Sequence, residues 1–190
     1  CSKFQLEQPV KDYIAGAEEN FAVLNQMNRE TKFFKQTHPI LVRDLVSNAR
    51  RRYLQNKYDD AVARLYRGLE MIGQISFENT MGSSTSDVPP DKIPDSLREE
   101  YISHYRSTLD QKIKIALFAT FRVLREVNHP IGLKFTEHEE ALKDLLSTRN
   151  SSILAHGTVP IAGKTYEHFE SIIRDLFLEE PFIEFPQLNW

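Results

Sequence analysis

The chain has 190 residues, of which 41% are hydrophobic and 27% charged, and a formal net charge of -3. This ordinary globular mix excludes a polycation, so any nucleic-acid contact must come from a local basic patch rather than from bulk charge. Its single cysteine, Cys1, cannot form an internal disulfide, which points to a reducing, cytoplasmic setting, and no apolar run approaches the ~20 residues that span a bilayer, so no membrane partner is expected.

The opening residues do not read as a signal peptide, because no uninterrupted apolar stretch follows them. The chain starts without Met and reads as a piece of a longer protein; processing would leave the same start. From Pro9 to Phe34, Val10, Tyr13, Ile14, Ala17, Phe21, Leu24 and Met27 recur at helical spacing. Residues 1–36 are therefore expected to form an N-terminal helix, a linker to a missing N-terminal domain, with a helical domain over 37–190. A second helix starts at Pro39, a good first-turn residue, and carries Ile40, Leu45, Val46, Ala49 and Tyr53. Asp59 reads as the cap of a third, strongly periodic run through Ala61, Leu65, Leu69, Ile72 and Ile75.

Between Asn79 and Pro94 the composition shifts to Ser, Thr, Gly and Pro, and a long loop is expected there, either mobile or functional. A lid over a cleft and a disordered insertion are both compatible with it. Helical spacing resumes from Pro94 to Tyr105 and, after a break, from Ile113 to Leu124, until His129-Pro130-Ile131-Gly132 ends it. Thr136 with Glu139 reads as a capping box opening a helix through Leu142, Leu145 and Leu146. A last helix is expected from Tyr166 to Leu178, followed by an extended arm around Pro181–Pro186. No strand pair of useful length is visible, so the fold class is all-α, a helical bundle with one long loop and no substantial sheet.

The segment richest in chemistry is Arg149-Asn150-Ser151-Ser152-Ile153-Leu154-Ala155-His156. On a continuous helix Arg149 and His156 would share a face, ~10 Å apart along the axis; a bulge at Asn150-Ser151-Ser152 would bring them closer. RNA cleavage without a metal needs a base for the ribose 2′-hydroxyl, a cation for the charge on phosphorus and an acid for the leaving 5′-oxygen. Histidine suits the proton transfers and arginine the phosphate. One Arg and one His are too few, but a symmetric dimer doubles both.

This run resembles the Arg–polar–four-to-six residues–His signature of HEPN-domain ribonucleases. The segment from Tyr58-Asp59-Asp60-Ala61 through Tyr66-Arg67-Gly68-Leu69-Glu70 resembles a helix in the C-terminal HEPN part of CRISPR-associated CARF–HEPN proteins. The likeness spans roughly residues 40 to 180. It implies a HEPN-like bundle and a metal-independent endoribonuclease of CRISPR-type antiviral defence. That enzyme would act as a homodimer on single-stranded RNA, with no cofactor or metal. Arg149 and His156 would be catalytic, with Asn150 supporting them. No CARF-like alternation of strands and helices is present, so cyclic oligoadenylate would act only through a missing sensor domain.

Plainer readings stand beside these. Arg149 and His156 suit a helix C-terminus, where cations complement the dipole. Arg50, Arg51 and Arg52 suit either an RNA-backbone patch or a solvated helix face. Arg67 is a further RNA-binding candidate or the ion-pair partner of Glu70, with Tyr66 in the cleft or the core; Ser152 is a candidate oxygen ligand. His38, His104, His129, His138 and His168 have neither the spacing nor the Cys partners of a zinc site. Two other functions fit: a HEPN domain that only binds nucleotide or a partner, and a TPR-like helical interaction module built on the helices around Ala49–Leu54 and Tyr58–Ala61.

Overall fold

The computed structural model describes residues 8–32, 37–152 and 157–177. They form eight α-helices: α1 (Gln8–Glu30), α2 (Pro39–Leu54), α3 (Tyr58–Met81), α4 (Asp95–Tyr105), α5 (Leu117–Glu126), α6 (Pro130–Glu137), α7 (Glu139–Asn150) and α8 (Gly163–Phe177). Among the described residues there is no strand, only two isolated bridges, Arg106 with Ile113 and Ser152 with Val159. The all-α reading holds.

Helix α3 is the axis of the bundle. It packs on α2, α8, α5 and α7, because Ala61, Leu65, Leu69 and Ile72 give it an apolar stripe at 3.6-residue spacing. Val46 of α2, Phe121 of α5, Leu142 of α7 and Phe169 and Ile173 of α8 close this main core. The helices around Ala49–Leu54 and Tyr58–Ala61 share that one core with α5, α7 and α8, which is not how stacked repeats are built.

The C-terminal half of α3 enters a second core, where Phe77 meets Val88, Ile93, Leu97, Tyr101, Ile113, Ile115 and Val123. The buried Tyr101 hydroxyl donates to the Ala119 carbonyl at 2.9 Å, so its polar end is satisfied. The 82–94 connector is part of this core. Gly82, at φ 65°, ends α3 in the left-handed conformation, and a single 3₁₀ turn covers Pro90–Lys92. Val88 N–H donates to Ile113 O and Ile115 N–H to Thr85 O, both at 2.9 Å. The long loop, read from sequence as mobile or functional, is packed, held by Val88 and Ile93, two apolar side chains that its polar composition conceals.

Several helix ends differ from the sequence reading. Asp59 lies inside the first turn of α3 and does not cap it. Thr136 is in α6, where its hydroxyl donates to Gly132 O at 3.0 Å, so no capping box forms with Glu139. The His129–Gly132 break does end α5, yet Pro130 at once opens α6: the His129 Nδ1 accepts from Ile131 N–H at 3.2 Å, a side-chain N-cap. Ile113 and Ile115 are extended residues ahead of α5 rather than its first turns. Helix α1 buries Asn20 and Met27 while Tyr13, Ile14, Phe21 and Leu24 stay exposed. The expected arm at Pro181–Pro186 lies outside the described residues.

Candidate functional site

Leu142, Leu145 and Leu146 pin α7 to the main core and fix the direction of its last turn. Arg149, three and four residues beyond the last two leucines, therefore leaves the helix toward α3. Its guanidinium lies over the Tyr66 ring, 4.5 Å from the centroid, and its Nη1 donates to Asn150 Oδ1 at 3.0 Å. Arg149 has no carboxylate partner among the described residues. Tyr66 is half-buried; burial, and then its hydrogen bond to Glu70, push its hydroxyl pKa up, so the phenol stays protonated and the ring serves as a neutral platform.

The helix stops at Asn150, six residues before His156. Ser151 is its C-cap, so a continuous helix does not run past Asn150. Ser152 N–H donates to Arg149 O at 3.0 Å, Gly157 N–H to Ser152 O at 3.0 Å and Val159 N–H to Ser151 O at 3.2 Å. Ile161 N–H then donates to Asp59 Oδ2 of α3 at 3.3 Å, which is the role Asp59 takes in place of a cap. Gly157 is indispensable to this corner: a Cβ there would stand 1.8 Å from Ser151 O. His156 itself lies outside the described residues.

The other residues singled out by sequence are distributed as follows. Ser152 is 2% exposed, inside the corner rather than on its surface. Arg67 sits one residue from Tyr66 and pairs with Glu70 at 3.1 Å, as the ion-pair reading expects. Arg52 Nε faces Asp60 at 3.0 Å, and the same carboxylate holds Arg64 at 3.1 Å, so Arg52 ties α2 to α3. Arg51 faces Asp44 at 3.9 Å, and burial lowers its pKa. Arg50 is exposed on α2, in the electrostatic field of Tyr166 of α8. Arg149 is thus in contact with Tyr66, Asn150 and Ser152, while Arg51 and Arg52 are engaged with α2 and α3.

Tyr66 is what sequence reasoning placed most loosely. It falls inside the apolar run of α3, and only its pairing in space with Arg149 separates it from the core residues around it.

The family model described as Csm6 HEPN domain matches residues 30–179. No curated protein and no solved structure matches the chain.

Proposed function

The chain belongs to the Csm6 HEPN domain family, which points to RNA cleavage in a CRISPR-related setting, and from that premise we propose that it is an endoribonuclease of antiviral defence cutting single-stranded RNA without a metal. Two copies form the working unit, each contributing Arg149, Asn150 and His156 to one composite site. Residues 37–190 form the ribonuclease domain, and the helix before them leads from a preceding domain, through which cyclic oligoadenylate would act in the cytoplasm.

In the reaction, His156 of one copy takes the proton of the ribose 2′-hydroxyl. The 2′-oxygen attacks phosphorus, and the bond from phosphorus to the 5′-oxygen breaks. His156 of the other copy returns a proton to that oxygen, leaving a 2′,3′-cyclic phosphate and a 5′-hydroxyl. Arg149 stabilises the negative charge that builds on the phosphoryl oxygens, and Asn150 holds its fork in direction.

The observation that carries this reading is Arg149. Arg51, Arg52, Arg64 and Arg67 each face a carboxylate, whereas Arg149 is held by a neutral ring and an amide. Its charge is fixed in direction and remains available to an anion.

The test is cleavage of a fluorophore–quencher single-stranded RNA in EDTA by the wild type, His156→Ala, Arg149→Ala and the double variant. Signal from the wild type alone is expected. Undiminished cleavage by a rigorously purified double variant overturns the assignment.

A further inference from the structure

A second feature is a cleft of about 460 Å³ lined mainly by α5 and α6, which α7 touches only at its first residue, Glu139. Arg149 lies ten positions after Glu139, which is on the rim, or ~15 Å along the helix axis. Its apolar side is the partly buried Phe118, backed by Phe121 and Phe135, whose rings stack at 4.0 Å. Phe118 meets Phe135 edge-on at 5.5 Å, which fixes its ring. Arg122 and Arg125 follow Phe118 at i+4 and i+7 on the same face of α5, and Tyr105 and Thr136, whose hydroxyl donates to Gly132 O, complete the lining.

The charges are unequal. Arg122 is held by both oxygens of Glu100, at 2.5 and 2.9 Å, and Glu139 faces Lys143 at 3.1 Å. Arg125 is half-buried and has no carboxylate partner among the described residues. The cleft therefore carries one uncompensated guanidinium beside a rigid aromatic surface and two hydroxyls. A planar base stacks on an aromatic ring, and a guanidinium takes a phosphate through its fork of donors, so this set matches a nucleotide unit. The volume falls in the ordinary range for small-ligand sites.

We infer that the Phe118–Arg125 cleft binds one phosphorylated nucleotide unit, with the base against Phe118 and the phosphate on Arg125. Resting on the ribonuclease reading, the unit belongs to the same RNA strand, a few nucleotides from the phosphate cut at Arg149. A free mononucleotide offers the same chemistry.

The experiment measures fluorescence anisotropy of a labelled single-stranded RNA in EDTA on the whole chain carrying His156→Ala, so that binding is read without turnover. In that background Arg125→Ala weakens binding about tenfold and flattens the log–log salt slope by about 0.7, the share of one phosphate on a single strand. Phe118→Leu weakens binding and leaves the salt slope unchanged. Lys92→Ala, which removes an exposed charge on the 82–94 connector, changes neither. Adenosine monophosphate is the second probe. If it displaces RNA from His156→Ala protein but not from the Arg125→Ala variant, the cleft accepts a single free nucleotide; RNA binding sensitive to Arg125 without such displacement assigns the cleft to the strand alone. Affinities for both probes that are unmoved by Arg125→Ala and Phe118→Leu overturn the inference, as does a chain that binds neither probe. Cleavage by otherwise wild-type protein, run in parallel, separates the two readings: it can persist while the cleft fails, or vanish while the cleft binds.

Discussion

The two connectors that matter most here are built in opposite ways. The 82–94 connector is long and rich in Ser and Pro, yet Val88 and Ile93 are buried and its backbone is hydrogen-bonded to residues 113–115. The connector after α7, 151–162, is nearly as long and follows directly on Arg149 and Asn150, the last residues of that helix. It is held by backbone hydrogen bonds among Ser151, Ser152, Gly157 and Val159 and by one carboxylate, Asp59. Met81, where the long connector begins, is ~22 Å along α3 from Tyr66, beside which Arg149 lies. The 82–94 connector is thus set apart by its buried residues rather than by its length or polarity, and the proposed site by the Arg149 charge at the end of α7.

The largest effect expected from this contrast separates activity from stability. Arg149→Ala should lower RNA cleavage by about 10²–10³-fold, the usual consequence of removing one donor to a developing oxyanion. The unfolding midpoint should barely move, since among the described residues the Arg149 side chain is held by a half-exposed ring and an exposed amide. Arg149→Lys keeps the charge but not the fork and should recover little. A matching fall in stability would make Arg149 a packing residue and erase the distinction between the two connectors.

Gly157→Ala comes next. The added methyl meets the Ser151 carbonyl, so the corner must shift. A displacement of ~1 Å next to reacting groups costs about a hundredfold in rate, and overpacking destabilises by about 1–3 kcal/mol. Cleavage rate and denaturant midpoint should both fall, with the rate more affected. In the other connector, Ile93→Ala should cost about 2–4 kcal/mol of stability through its cavity and leave the rate per folded molecule unchanged. Denaturant titration beside cleavage kinetics reads both.

The periodicity of α3, α7 and α8 was legible because their buried residues recur at helical spacing, and the all-α class followed from it. Arg149 was singled out by residue type and spacing, but its seat over Tyr66 was not legible. The packed state of the long connector was not, because Val88 and Ile93 are single apolar residues among turn formers and acquire meaning only against Ile113 and Ile115. Helix α6 was hidden for a related reason: His-Pro reads as a terminator, and it takes three-dimensional context to see the same pair opening a new helix. Tyr66 and Asp59 gained their roles from partners 83 and 102 residues away in sequence, Arg149 and Ile161.

A third connector, between α5 and α6, yields the smallest and most specific effect. It is held by the His129 side chain, whose Nδ1 accepts the Ile131 N–H only while that nitrogen is unprotonated. Burial lowers the His129 pKa from its ordinary 6.5, so near that pH the folded chain binds fewer protons here than the unfolded one. The cap's contribution is therefore fully present above pH 6.5 and is lost as pH falls through the lower, folded-state value. The loss should be about 1 kcal/mol, the usual worth of an N-cap. His38 caps α2 in the same way, but its Nε2 also faces Glu30 at 3.0 Å, so the two caps are not equivalent. Comparing unfolding free energies at pH 7.5 and 5.0 for the wild type and His129→Asn isolates the difference. Asn keeps a capping oxygen at every pH, so the variant should lose about 1 kcal/mol less than the wild type on acidification. Equal losses would mean that the α5–α6 connector is held by packing, as the 82–94 connector is, rather than by its histidine.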